Sequence, residues 1–216
     1  LTHAHGDHVG DTVEIAKRTG AMIVSNAEIA NWAGNQGLKS HGMNSGGGYD
    51  FGFVHARQTI AFHSSSFPDG TYGGSPNGFV FTTKSSERAY VAGDTALFSD
   101  MKLIGEIGID IAFLPIGDNF TMGPDDSLKA IQIIKPQVVV PMHYNTWDVI
   151  AVDVAEAKRE ITLGFGATDF VMAGPDAVSQ IQALTEGRGA DYVFEAAGIP
   201  AVQEECLEAV RPGGLV

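Results

Sequence analysis

The sequence predicts a layered α/β protein. Over the first 150 residues, short apolar segments typical of buried strands alternate with segments that carry helix start and stop signals. His63, Asp94 and His143 each follow one of the apolar segments directly. Because the ends of strands are where ligands converge in a packed sheet, these polar positions indicate a site as well as a fold.

The elements of this part follow one another in a clear order. Asp11 can cap a first helix, with Glu14 three residues on, and Gly20 can end it. A strand is then expected at 21–24, a short helix at 26–33, and a glycine-rich loop at 34–48. Further strands are predicted at 59–63, 79–83, 89–92 and 109–114. A helix between Pro124 and Pro136 precedes a last strand at 138–142, which leads to His143.

The segment Thr2-His3-Ala4-His5-Gly6-Asp7-His8 places three imidazoles and a carboxylate within six residues. Neutral histidine and ionised aspartate are the ligands that zinc and related divalent ions take in proteins. A solvated polar loop is the alternative interpretation of this segment. The later polar strand ends supply further donors, so the sequence predicts a metal site. His41, in the predicted loop, and His55 lack a neighbouring ligand set, and we expect neither to bind metal.

Composition narrows the range of partners. The net charge is −13, and binding to nucleic acid relies on lysine and arginine, so we expect no nucleic-acid partner. The chain is 44% hydrophobic, which suffices for a core, but no apolar segment reaches the roughly 18–20 residues of a membrane span. We therefore expect a small-molecule substrate and no membrane. The single cysteine, Cys206, excludes an internal disulfide and indicates a reducing, cytoplasmic compartment.

These motifs resemble the metallo-β-lactamase superfamily, and within it a small family of metal-dependent hydrolases. The resemblance covers about residues 1–150 and includes Phe62-His63-Ser64-Ser65-Ser66, Ala92-Gly93-Asp94-Thr95, the segment 115–123 and Pro141-Met142-His143-Tyr144-Asn145-Thr146. It implies an αββα sandwich that is truncated, because the N-terminal strands of the family are missing before Leu1.

The resemblance also implies a dinuclear site. His3, His5 and His63 resemble the ligands of a first metal, Asp7, His8 and His143 those of a second, and Asp94 a bridging carboxylate. Two divalent ions are expected, with Zn²⁺ favoured by the all-imidazole first site and Mn²⁺ or Fe²⁺ as alternatives.

The activity implied is hydrolysis of a small ester, lactone, thioester or phosphodiester by a hydroxide that two metals generate, with Asp7 and Asp94 in catalytic roles. Five residues are candidate substrate contacts: Asp118, Asn119, Thr121, Tyr144 and Asn145. An equally weighted interpretation is that these side chains only satisfy the backbone of their loops.

Residues 151–216 resemble part of the nucleotide-binding domain of medium-chain, zinc-type alcohol dehydrogenases. The segments 165–169, 187–198 and 211–214 carry this likeness. We predict a partial Rossmann-like βα segment, with strands at 150–154, 170–172 and 191–195, helices at 155–164, 177–185 and 200–210, and a strand beginning at Val216. Asp153 matches the ribose-binding acid of that family, but no Gly-rich turn precedes it by about 20 residues. No cofactor-binding residue is therefore predicted.

Two alternatives to a hydrolase remain open. One is a fragment of an NAD-dependent, zinc-type alcohol dehydrogenase-like oxidoreductase, which the second resemblance favours. The other is a non-catalytic, truncated or chimeric remnant, because two unrelated families meet near Ile150. The sequence leaves the oligomeric state open.

Overall fold

The computed structural model describes residues 1–146, 148–150, 169, 171, 176–193 and 206–215 of the 216-residue chain. The chain forms two compact units, Leu1–Val152 and Asp153–Val216. No helix among the described residues is long and apolar enough to cross a membrane.

The first unit is a mixed α/β structure, as predicted. Its helices are α1 (Gly6–Val9), α2 (Thr12–Thr19), α3 (Ala27–Asn35), α4 (Met101–Gly105) and α5 (Pro124–Ile134). Its strands are β1 (Ile23–Asn26), β2 (Ser40–Met43), β3 (Gly48–Asp50), β4 (Val54–Ile60), β5 (Asn77–Thr83), β6 (Arg88–Val91), β7 (Ile111–Pro115) and β8 (Val138–Met142). A 3₁₀ turn spans Asp148–Ile150.

The strands form one large sheet and one small sheet. The large sheet has the order β3-β4-β5-β6-β7-β8, and β1 and β2 form a separate parallel pair. Neighbouring strands are antiparallel from β3 to β6, whereas β6, β7 and β8 are parallel. Since β4 and β6 are both antiparallel to β5, the strands β4, β6, β7 and β8 all end at the same edge of the sheet. The residues that follow these four strands therefore lie at this edge.

Several sequence predictions are confirmed at the level of single elements. The helix α2 ends at Gly20, which adopts the left-handed conformation (φ 71°) that glycine accepts without strain. The helix α5 begins at Pro124, and β8 covers the predicted residues. Asp11 precedes α2 as predicted, but its side chain makes no capping hydrogen bond.

Two predictions about local structure are wrong. The predicted loop at 34–48 contains β2 and the first residue of β3, because β2 pairs with β1 from Ile23↔Ser40 to Asn26↔Met43. The strand predicted at 59–63 ends at Ile60. The backbone of Phe62 instead donates to Thr95 Oγ1 and accepts from Ala96, so His63 lies in a loop beyond the sheet.

The main core lies between the large sheet and the helices α4 and α5. It consists of buried side chains from β5 to β7, the two helices and the connecting segments: Val80, Tyr90, Ala92, Met101, Ile104, Ile109, Ala112, Leu114, Met122, Ala130 and Ile134. The two helices approach closely at Gly105, where a Cβ atom would lie 2.7 Å from the carbonyl oxygen of Ile134. This packing fixes β6 and β7, whose ends carry part of the candidate site.

The second unit contains α6 (Ala177–Leu184), β9 (Ala190–Tyr192) and β10 (Val210–Leu215) among its described residues. The strands β9 and β10 are parallel, and α6 confirms the helix predicted at 177–185. Val210, predicted as helical, begins β10, because it pairs with Ala190. The predictions for 151–164, for most of 170–172 and for 194–205 lie outside the described residues.

We expect Asn26→Ala to lower the free energy of unfolding by about 2–4 kcal/mol. Asn26 is 1% exposed; its Oδ1 accepts from the N–H of Ile29 at the start of α3, and its Nδ2 donates to the carbonyls of Gly73 and Ser75. Alanine removes the helix cap and leaves the two carbonyls without this donor. Urea denaturation followed by far-UV circular dichroism measures the loss. The exposed Asn35, at the end of α3, is the control, since Asn35→Ala should change stability by less than about 0.5 kcal/mol. Equal effects of the two substitutions would contradict this role of Asn26.

Candidate metal centre

The segment that carries His3 and His5 is fixed to the loop that follows His63. Ala4, between the two histidines, is fully buried, and its N–H donates to Ser65 Oγ over 3.2 Å. Ser65 Oγ in turn donates to the carbonyl of Gly73 over 3.0 Å. A Cβ atom on Gly73 would lie 2.2 Å from that of Ala4, so only glycine fits there. His63 is thus held beside His3 and His5, although it lies 58 residues after His5 in the sequence.

The short helix α1 places Asp7 and His8 beside these histidines. It begins at Gly6, and the carbonyl of His5 accepts from the N–H groups of His8 and Val9 over 3.0 and 2.9 Å. Val9 is buried and packs in a small apolar cluster with Ala4, Ile29 and Phe67. Sequence analysis missed α1 because four residues are too few to show a helical period.

Asp94 and His143 reach the same place from the ends of β6 and β8. Gly93, just before Asp94, has a φ of 65°, and His143 itself has a φ of 57°. A Cβ atom on Gly117 would lie 2.1 Å from the carbonyl oxygen of His143, so the backbone that follows β7 packs directly against this residue. The N–H of Ile116 donates to the carbonyl of Met142 over 3.0 Å and continues the β7–β8 pairing up to the site.

The ring nitrogens of His3, His5 and His63 converge, and we call these residues the first group. Nδ1 of His5 lies 3.0 Å from Nε2 of His3 and 3.3 Å from Nε2 of His63. One donor atom from each of the three residues lies within 4.8 Å of the others.

Asp7, His8, Asp94 and His143 form a second group of converging donors. Oδ2 of Asp7 lies 3.4 Å from Nε2 of His8 and 3.5 Å from Nε2 of His143. The two oxygens of Asp94 face the same two imidazoles, with Oδ1 3.3 Å from His8 and Oδ2 3.1 Å from His143. Oδ2 of Asp94 is also 3.6 Å from Nε2 of His63 and 3.9 Å from Nε2 of His3, so this carboxylate lies between the two groups.

Burial favours the neutral imidazole of two histidines in the first group. It lowers the pKa of His3 to about 3, with a further contribution from His8, and it lowers the pKa of His63. The pKa of His143 is raised, mainly by its hydrogen bond to Asp94. Burial alone would raise the pKa of Asp94, but the facing imidazoles of His143 and His8 hold it well below its usual range. At neutral pH the site therefore combines neutral imidazoles at His3 and His63 with an ionised carboxylate at Asp94.

This donor set fits divalent cations. A neutral imidazole has one N–H and one lone pair, and the three inward-facing nitrogens of the first group can all present lone pairs when a cation lies between them. Oδ1 of Asp94 is buried and, despite its 3.3 Å distance from His8, makes no hydrogen bond among the described residues. Such a carboxylate oxygen remains available to a cation in the second group.

The candidate substrate contacts lie in two loops beyond β7 and β8. Asp118 and Asn119 are exposed and left-handed (φ 59° and 47°), and Thr121 Oγ1 donates to the carbonyl of Met122 over 3.1 Å. Tyr144 is half-buried, and the N–H of exposed Asn145 donates to the carbonyl of Ile150. Their contact with substrate stays a prediction.

The two histidines expected not to bind metal lie in other places. The ring of His41, on β2, contacts that of Tyr49 with a centroid separation of 4.2 Å. His55 is exposed on β4. Neither belongs to the first or the second group.

A converging set of histidines and aspartates at the strand ends of a mixed α/β unit is typical of a metallohydrolase class. A family model described as "Beta-lactamase superfamily domain" matches residues 1–144, and the chain belongs to this family. Within it, the UPF0173 metal-dependent hydrolase of Thermus thermophilus is 56% identical over 163 residues, which are 74% of this chain and 72% of that protein. A relative of the same description from Bacillus cytotoxicus is 55% identical over 168 residues, 75% of this chain and 74% of that protein.

Solved structures and a second family model add to this comparison. Igni18, a metallo hydrolase from Ignicoccus hospitalis, has a TM-score of 0.70 and 38% identity, and the match covers 80% of this chain and 74% of that one. A family model described as "Zinc-binding dehydrogenase" matches residues 142–216. This match agrees with the resemblance of residues 151–216 to the zinc-type alcohol dehydrogenases. Asp153, the residue that matches the ribose-binding acid of that family, lies outside the described residues.

We expect Gly117→Ala to disturb the position of His143. The new Cβ would meet the carbonyl oxygen of His143 at 2.1 Å, so backbone must move, at a cost of about 1–3 kcal/mol in the free energy of unfolding. Urea denaturation measures this cost. The control is Gly34→Ala within α3, where the new Cβ finds only an ordinary contact of 3.6 Å and should stabilise the helix by about 0.5–1 kcal/mol. A Gly117→Ala variant as stable as the unaltered protein would contradict the close packing against His143.

Proposed function

We propose that this chain is a hydrolase that holds two divalent metal ions, with Zn²⁺ as the expected metal. The observation that carries the proposal is the position of Asp94, whose Oδ2 faces His63 at 3.6 Å on one side and His143 at 3.1 Å on the other. One carboxylate placed between two sets of donors fits a bridge between two cations. The imidazole-rich first group favours zinc over harder metals.

The residues divide into two ligand sets. His3, His5 and His63 would hold the first ion, and Asp7, His8 and His143 the second, with Asp94 shared between them. When bound, the ions lower the pKa of a coordinated water and compensate negative charge that develops on the substrate. The low pKa of His3 agrees with this assignment, since a neutral imidazole is the form that binds metal.

Asp7 and Asp94 have different parts in the proposed reaction. The Asp7 side chain is 38% exposed, so its carboxylate can orient a water molecule that approaches from solvent. The Asp94 side chain is only 3% exposed and supplies a fixed negative charge within the site. In the proposed reaction Asp7 therefore orients the water molecule and Asp94 compensates charge.

The proposed substrates are small molecules with an acyl or phosphoryl centre: an ester, lactone, thioester or phosphodiester. The net charge of −13 disfavours nucleic acid as the substrate. Five residues on the loops after β7 and β8 are the proposed substrate contacts: Asp118, Asn119, Thr121, Tyr144 and Asn145.

The protein refolded with zinc should hold about two ions per chain, because its seven donors form two adjacent sets. Elemental analysis after removal of free metal measures this ratio. His41→Ala is the control, since His41 belongs to neither group and its loss should leave the ratio unchanged. A ratio of one ion per chain or less would contradict the proposal.

Replacement of Asp94 or His8 by alanine should lower hydrolysis of a generic ester or phosphodiester by at least about 100-fold. Asp94→Ala removes the carboxylate between the two groups, and His8→Ala removes an imidazole from the second group alone. Steady-state kinetics with zinc-loaded protein test both variants, and His55→Ala on β4 is the control. Full activity in Asp94→Ala would show that the reaction occurs elsewhere.

A further inference from the structure

His3 and His5, the two histidines on either side of Ala4, direct different ring nitrogens towards the centre of the first group. His3 directs Nε2 towards the group, whereas His5 directs Nδ1, and the two atoms are 3.0 Å apart. His63 also contributes Nε2, at 3.3 Å from the same Nδ1. If all three nitrogens are to present lone pairs to one cation, His3 must carry its proton on Nδ1 and His5 on Nε2. The two rings therefore need opposite tautomers.

A hydroxyl group faces each of the nitrogens that must carry these protons. Thr2 Oγ1 lies 3.1 Å from Nδ1 of His3. Ser64 Oγ lies 3.3 Å from Nε2 of His5. Each hydroxyl is adjacent in sequence to a first-group histidine, but only Thr2 faces its own neighbour, whereas Ser64 faces a ring 59 residues away.

We infer that Thr2 and Ser64 are positioning residues that select opposite tautomers of His3 and His5. Each hydroxyl oxygen accepts the ring N–H, which directs the lone pair of the other nitrogen into the first group. This inference rests on the proposed metal site and adds to it the residues that orient two of its ligands. Outer contacts of this kind fix the orientation and raise the basicity of metal-binding histidines.

Tertiary contacts hold the backbone segments that carry the two hydroxyls. The carbonyl of Thr2 accepts from the N–H of Asn77 over 2.9 Å, at the start of β5. A Cβ atom on Gly93 would lie 2.9 Å from Cβ of Thr2, so Thr2 packs against the residue that precedes Asp94. Ser64 lies between His63 and Ser65, and Ser65 Oγ accepts from the backbone of Ala4. Each hydroxyl is therefore carried by backbone that also carries a ligand.

The test compares zinc affinity in variants that remove one hydroxyl each. Thr2→Val keeps the shape of the side chain and Thr2→Ser keeps its hydroxyl, while Ser64→Ala removes the second hydroxyl. Thr59→Val and Ser85→Ala are matched controls, since Thr59 is a buried threonine and Ser85 an exposed serine outside both groups. Competition with a chromophoric chelator measures affinity for each of the two ions, and long-range ¹⁵N–¹H spectra of the histidine rings report the tautomers.

We expect Thr2→Val and Ser64→Ala each to weaken binding of one zinc ion by about 10–100-fold, while the other ion binds nearly as before. Thr2→Ser should restore most of the affinity, and both controls should bind as the unaltered protein does. The ring spectra of the zinc-loaded protein should show the proton on Nδ1 of His3 and on Nε2 of His5. A purely structural role would lower stability without this selective loss of one ion.

The outcomes separate this inference from the proposed function. If the unaltered protein binds no zinc, the proposed function fails. If it binds two ions and both Thr2→Val and Ser64→Ala bind them with unchanged affinity, the inference alone is overturned. If Thr2→Val loses its circular dichroism spectrum, Ser64→Ala decides the matter, and unchanged zinc affinity in that variant overturns the inference.

Discussion

The candidate site depends on one buried carboxylate. Asp94 is 2% exposed, and four imidazoles lie within 4 Å of its oxygens. Burial of an ionised carboxylate costs several kcal/mol unless other groups compensate its charge. The surrounding imidazoles, and the cations that they are suited to bind, supply this compensation. The segments that carry these histidines therefore have to converge on Asp94 if its charge is to remain buried.

The sheet brings these loops together because β4, β6, β7 and β8 end at the same edge. Close packing then sets their separation, and three glycines mark the places where no side chain fits: Gly73 against Ala4, Gly93 against Thr2, and Gly117 against His143. A Cβ atom at any of them would meet a neighbour at less than 3.0 Å. Backbone in such contact has little freedom to move. The close packing of the backbone therefore fixes the donor atoms.

The electrostatic balance of the site differs between its two halves. The first group contains only imidazoles, and burial keeps His3 and His63 neutral. The second group adds the half-exposed Asp7, and His143 has a raised pKa beside Asp94. The first group therefore contains two neutral imidazoles and no carboxylate, whereas the second group contains two carboxylates and is the more open to solvent. This asymmetry leaves Asp7 as the donor most accessible to water.

The sequence by itself determined the α/β class of the first unit and the identity of the seven converging donors. His3, His5, Asp7 and His8 lie within six residues, and each remaining donor follows an apolar segment, so local patterns were sufficient. Only the tertiary structure decided three further features. The strand β2 forms because it pairs with β1, and the short helix α1 places Asp7 and His8. The hydroxyls of Thr2 and Ser64 contact particular ring nitrogens of His3 and His5. These features depend on contacts between distant segments, such as the 59-residue separation of Ser64 and His5, and no local pattern of hydrophobicity or spacing records them.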